Sequence, residues 1–240
     1  MKMSKLVLAM ASVMLMSCAD AQNAKEEAQL RKALAERFHD VKIDSIKKMP
    51  YADLYEIVAG GEVRYFDKTG SIMVIGRIID LKTQKDLTQA RIDDINKINF
   101  DDLPKDLALK AVKGNGKRVM AIFEDPNCGY CKRFRQNTLA NVDNVTVYTF
   151  LYNILSPDSA TKSQNIWCSA DRNKAWDEWM LQGKAAPVAP NGCSAPNEKV
   201  LALGQKLNIN GTPAIFFADG TRIAGAVDQH TLEAKFATIK

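Results

Sequence analysis

Cys128-Gly129-Tyr130-Cys131 directly follows the apolar run Val119–Phe123, and this pairing constrains the chain more than any other feature. A short apolar run bounded by turn residues reads as a buried strand, so a helix opening at Cys128 would complete a strand–turn–helix unit. Two thiols separated by two residues can close a small disulfide and reopen it with little backbone movement. A sulfur at the start of a helix lies at the positive end of the helix dipole, beside unpaired backbone N–H groups. That setting favours the thiolate, the attacking species in thiol–disulfide exchange. A static cross-link or half of a zinc site would use the same residues. Zinc asks for a second close pair of soft ligands, and the chain has no other C-x-x-C and no Cys-His cluster, so no metal is expected.

The N-terminus reads as an export signal over residues 1–21. Lys2 and Lys5 precede the apolar stretch Leu6–Met16, which is too short to span a membrane, and small residues follow. Two processing readings compete. Ala19-Asp20-Ala21 fits cleavage before Gln22 and soluble release, whereas Leu15-Met16-Ser17-Cys18 resembles a lipoprotein box with Cys18 as the lipid-bearing terminus. Either way the chain leaves the cytoplasm. Of five cysteines, that leaves Cys128, Cys131, Cys168 and Cys193. Four cysteines allow three pairings; the C-x-x-C neighbours pair most naturally, which leaves Cys168 with Cys193. Such a bond persists only in an oxidising compartment, in agreement with export. Thirty-three Lys and Arg against 28 Asp and Glu, scattered along the chain, argue against a dedicated nucleic-acid surface.

Three segments follow the signal. Residues 22–85 combine an amphipathic helix at Lys25–Phe38 with strands at Leu54–Ala59, Val63–Phe66 and Ser71–Ile79. Their core is small, and a spare strand edge could be buried by pairing with a second copy. Residues 86–113 are charged and helix-favouring; a connector helix and an ordinary surface helix fit equally. Residues 114–240 carry the chemistry. Their order is a strand at Arg118–Phe123, a helix from Cys128 and a strand at Val145–Tyr152. A helical stretch Ser163–Leu181, a helix Asn197–Leu207, a hairpin (Ala214–Phe217 with Arg222–Ala224) and a helix Thr231–Ile239 follow. That order is the one expected of an α/β thioredoxin-like domain.

Cys128 is the candidate nucleophile, expected to face solvent, and Cys131 the candidate resolving thiol one helical turn on. Lys132, Arg133 and Arg135 would favour a thiolate at Cys128 if they lie close, although a charge run is as often a solvated helix face. Glu124 and Asp125 would act the other way. Thr212-Pro213 precedes an apolar strand, where a cis bond could expose backbone groups to a bound polypeptide. His39 and His230 read as surface or capping residues, and the Trp residues at 167, 176 and 179 as core.

Cys-Gly-Tyr-Cys at 128–131, Ile166-Trp167-Cys168, Cys193 and Gly211-Thr212-Pro213 together resemble the DsbC-type protein disulfide isomerases of the bacterial periplasm. The resemblance implies a V-shaped homodimer joined through a small cystatin-like α+β domain, with a helical linker to a thioredoxin-fold catalytic domain. It implies Cys128 and Cys131 as the redox pair, Cys168–Cys193 as a structural bond and Thr212-Pro213 as a cis-proline loop. Gly129, Tyr130, Thr212 and Pro213 become the expected substrate contacts. Misoxidised exported polypeptides would be the clients, a membrane reductant of the DsbD type would keep the pair reduced, and no cofactor is expected. Two departures stand out. Ile122 occupies the position where many thioredoxins carry a buried carboxylate, and residues 86–113 match the family poorly. Two rivals remain: a dithiol oxidase or sulfenic-acid reductase of the same fold, and a holdase whose cysteines are incidental.

Overall fold

In the computed structural model, residues 21–239 are described; the stretch read as an export signal, Ala21 excepted, and Cys18 lie outside this range. The chain divides into two compact units, residues 1–95 and 96–240.

The first unit opens with a helix, α1 (residues 21–37), followed by β1 (Ser45–Lys48), β2 (Tyr55–Ala59), β3 (Glu62–Phe66) and β4 (Met73–Val74). The four strands form an antiparallel sheet in sequence order. Strand alternation sends Tyr55 and Ile57 to one face, where they pack with Leu30 and Leu34 of α1, and Val58 to the other. That second face takes Ile92 and Ile95 of α2 (Leu87–Ile95), which follows the short pair β5 (Ile79–Asp80) and β6 (Lys85–Asp86). Tyr55 O–H donates to the Glu26 carboxylate, and Lys48 Nζ lies 2.9 Å from it. Both interactions tie α1 to the sheet. Among the described residues β4 is an edge of this sheet, and Ile72 and Ile75, which flank it in sequence, are exposed.

The second unit begins before residue 114. Residues 86–113, read as a connector or surface helix, contain α-helix only in α2, followed by short 3-10 turns at Phe100–Asp102 and Lys105–Leu107. Phe100 and Leu103 are buried against the second sheet, and Leu109–Lys113 form β7, an antiparallel edge strand on β9 (Val145–Leu151). Apolar Phe100 and Leu103 draw this stretch onto a core instead of leaving it as a spacer. The five-stranded sheet runs β11-β10-β8-β9-β7, with β8 (Arg118–Glu124) parallel to β9 (Val145–Leu151) and the other pairings antiparallel. β10 is Ala214–Phe217 and β11 is Arg222–Ala224.

Central strand β8 is buried on both faces. Met120 and Ile122 meet Phe134 of α3 (Gly129–Asn137) and Leu232 and Phe236 of α7 (Gln229–Ala237). Ala121 and Phe123 face Val200 of α6 (Asn197–Lys206), and the Phe123 and Phe150 rings stack 4.6 Å apart. A continuous apolar run is what a strand covered on both sides requires. Tyr152 packs so closely on α6 that only glycine fits at 204; a Cβ there would lie 2.2 Å from the tyrosine ring.

The helical stretch expected at Ser163–Leu181 is two helices, α4 (Pro157–Trp167) and α5 (Arg172–Gln182). Cys168 ends the first, and Asp171 caps the second by accepting from Lys174 N–H at 3.0 Å. Trp176 is buried, whereas Trp167 and Trp179 are only partly covered; His39 and His230 are exposed. Among the described residues no helix is long and apolar enough to cross a membrane, and no cluster of side chains is suited to a metal ion.

Candidate active site

β8 ends at Glu124, and a four-residue turn delivers the chain to α3. Asp125, fully buried, organises that turn. Its carboxylate accepts from Asn127 N–H at 2.7 Å, from the backbone N–H groups of Ile154 and Leu155 at 2.8 and 3.0 Å, and from Ser159 Oγ at 2.8 Å. Four donors satisfy a carboxylate that water no longer reaches. The Asn127 amide donates to Ser156 Oγ and Ser159 Oγ, and its carbonyl accepts from Lys162 Nζ at 2.6 Å. Trp179 N–H donates to Pro126 O at 2.6 Å. Residues 125–127 are therefore fastened to α4 and α5 just ahead of the cysteine.

Cys128 is the N-cap of α3. Its sulfur accepts from Cys131 N–H at 3.0 Å, taking the place that a serine or aspartate oxygen fills in other helices. Cys128 and Cys131 are joined as a disulfide, with Cα atoms 5.2 Å apart. The Thr212–Pro213 peptide bond is cis, and Thr212 O lies 3.4 Å from Cys128 Sγ. Thr212 precedes β10, the neighbour of β8, so strand pairing carries this loop to the end of the sheet where α3 begins. A second disulfide joins Cys168, at the end of α4, to Cys193 in the irregular segment before α6, with Cα atoms 6.1 Å apart.

Two expectations need correction. Cys128 does not face solvent in this oxidised state: it is 2 % exposed, because the disulfide draws its sulfur toward the buried Cys131 and the Thr212 carbonyl lies against it. The open surface belongs to its neighbours Gly129 and Tyr130, the latter 64 % exposed. Nor does Arg135 serve the thiolate. Its guanidinium is buried and spent on Glu124, with Nε–Oε2 at 2.8 Å and Nη2–Oε2 at 2.6 Å, on Thr149 Oγ1 at 2.8 Å and on Asp177 at 3.1 Å. Burial raises the Glu124 pKa, while Arg135 and, to a lesser degree, the Trp176 indole pull it down. Burial likewise raises Asp177, again opposed by Arg135. The Glu124–Arg135 pair, spanning β8 and α3, was not apparent as a pair from sequence. A charged residue closing an otherwise apolar strand was its only signal.

A dithiol capping a helix at the end of a central parallel strand, with a proline loop against the sulfur, defines a thioredoxin-like thiol–disulfide oxidoreductase. Comparisons with known proteins narrow this. The thioredoxin-like domain family matches residues 105–240, and the disulfide bond isomerase N-terminal domain family matches residues 20–89. A probable thiol:disulfide interchange protein DsbC of Bordetella parapertussis is 47 % identical over 206 residues, covering 86 % of this chain and 72 % of the relative. DsbC of Escherichia coli K12 is 27 % identical over 203 residues, 83 % of each chain. The crystal structure of a disulfide interchange protein from Neisseria gonorrhoeae superimposes with a TM-score of 0.53 at 39 % identity, over 57 % of this chain and 97 % of that one. The chain belongs to the DsbC family of thiol:disulfide interchange proteins.

Proposed function

We propose that this chain isomerises incorrect disulfides in exported proteins, with Cys128 as nucleophile and Cys131 as resolving thiol. The observation that carries the assignment is the cap: Cys131 N–H donates to Cys128 Sγ at 3.0 Å, a donor already placed to stabilise a thiolate at that sulfur.

In the reduced protein, the Cys128 thiolate attacks one sulfur of a client disulfide. A Cys128–client bond forms and the client's other sulfur leaves as a thiolate. If a client thiolate then attacks the mixed disulfide, the client departs with new pairing and Cys128 is regenerated, with no net electron transfer. If Cys131 attacks first, the Cys128–Cys131 bond forms and the client leaves with two thiols, so two electrons have passed to it. A dithiol reductant, of the membrane-bound DsbD type, must then reopen the pair. Gly129 and Tyr130 offer the exposed rim at which client or reductant approaches, and the Thr212-Pro213 loop supplies main-chain groups for the client backbone. No cofactor takes part.

The reading extends to the whole chain as a periplasmic homodimer, released after residue 21 or held through Cys18. The β4 edge, unpaired among the described residues, and the exposed Ile72 and Ile75 beside it support self-association through the first unit. Misoxidised exported polypeptides are the clients.

Reactivation of scrambled ribonuclease tests the assignment. Wild type should restore activity in a glutathione buffer, Cys128→Ala should not, and Cys131→Ser should accumulate a mixed disulfide. A pure oxidase would fail without added thiol, and a holdase would lose nothing with Cys128→Ala. The reduced protein should also react with iodoacetamide at Cys128 faster than an ordinary mercaptan at neutral pH; sluggish alkylation would overturn the reading.

A further inference from the structure

The charges around the dithiol are unevenly settled. Glu124 and Asp125, the two acids ahead of it, are buried and turned to other partners, one ion-paired to Arg135 through a single carboxylate oxygen and the other held by four donors. Asp158, the acid facing Asn127, is taken by Lys162 at 2.6 Å. Lys132 and Arg133, immediately after Cys131, make no ion pair among the described residues, whereas Arg118, Lys184 and Lys235 of the same unit each hold a carboxylate. They rest on aromatic rings instead. Lys132 Nζ lies 4.6 Å from the Trp179 ring centroid, and the Arg133 guanidinium lies 4.6 Å from that of the exposed Tyr130.

A ring face steadies a cation without cancelling its charge. Trp179 is itself anchored to Pro126 O and has Lys162 Nζ 4.7 Å from its ring, so the Lys132 ammonium is held on the element that positions the loop before Cys128. The result is an unneutralised positive rim across the first two turns of the helix that Cys128 caps. We infer that Lys132 and Arg133 select substrates, favouring client segments that carry carboxylates next to the disulfide under attack. This rests on the exchange reading above and names its preferred substrate class. Because salt screens exposed charges over about 10 Å at 0.1 M, the preference acts only on acids within a few residues of the client cysteine.

Two small disulfides isolate the effect: dithiodiglycolate, with two carboxylates, and cystamine, with two ammonium groups. Their rates with the reduced protein, followed by stopped flow, are each divided by the rate of the same disulfide with 2-mercaptoethanol thiolate. At low ionic strength the normalised ratio should favour dithiodiglycolate by about fivefold, and it should approach unity in about 0.5 M salt. Lys132→Gln/Arg133→Gln should bring the low-salt ratio close to one. Lys117→Gln/Lys199→Gln, an equal charge change at exposed positions on β8's entry and on α6, should leave it intact. A wild-type ratio near one would overturn the inference, as would a ratio surviving in the first variant or falling equally in the second. Failure of both disulfides to react would instead overturn the exchange reading.

Discussion

Arg135→Met tests the ion pair beneath the active-site helix. The Arg135 and Glu124 side chains are 9 % and 0 % exposed, and two nitrogens of the guanidinium hold one carboxylate oxygen. Removing one partner of such a pair strands a buried charge, at a cost of about 3–5 kcal/mol. The Asp177 contact adds little, since that carboxylate is 53 % exposed. Urea unfolding of the oxidised protein at pH 7 should show that loss, whereas Glu124→Gln/Arg135→Met, with both charges gone, should lose less than half as much. The pH dependence has a definite sign. Burial already raises Glu124 above its ordinary 4.5, and without Arg135 nothing comparable opposes the rise. A carboxyl whose folded pKa exceeds its unfolded one destabilises the fold when ionised, so the deficit of Arg135→Met should shrink as pH falls toward 4.5. A loss under about 1 kcal/mol, or a double variant no more stable than the single one, would refute the buried-pair argument.

Three further outcomes follow. Cys168→Ala/Cys193→Ala frees a 25-residue separation and should cost about 3 kcal/mol in thermal or urea unfolding, while reduced protein that remains folded keeps its exchange rate. Glu26 is held at about 2, first by the Tyr55 hydroxyl and then by Lys48. A depressed folded pKa gives stability that is present above 4.5 and lost as pH falls toward 2, so a Glu26→Gln variant should show a flatter acid limb in pH-dependent unfolding. Gly204→Ala drives a methyl into the buried Tyr152 ring and should cost about 1–3 kcal/mol by urea unfolding; an unchanged midpoint would mean the ring has room to move.

The parts of this fold legible in the sequence are those whose signal is local. Val119–Phe123 is apolar throughout because β8 is covered on both faces, and the dithiol marks where α3 starts. β7 escaped detection because only Leu109 of its five residues is buried, and an edge strand owes its shape to the neighbour it pairs with. The break between α4 and α5 was hidden by Trp167, Trp176 and Trp179, whose spacing continues across it. Asp171, three residues before the amide it caps, was the overlooked stop-and-start signal. Arg135 looked like one more member of a basic run, since nothing local distinguishes a solvated arginine from one facing a carboxylate on a strand eleven residues earlier. The covering of Cys128 depends on Thr212, 84 residues away.

One sulfur atom both closes the end of α3 and carries the bond that is exchanged. The Cys131 amide proton consequently sits on a gauge: its acceptor changes in electron density whenever Cys128 passes between thiolate, client adduct and cystine. Its chemical shift and its rate of exchange with deuterium would follow turnover from inside the protein, with no label on either partner.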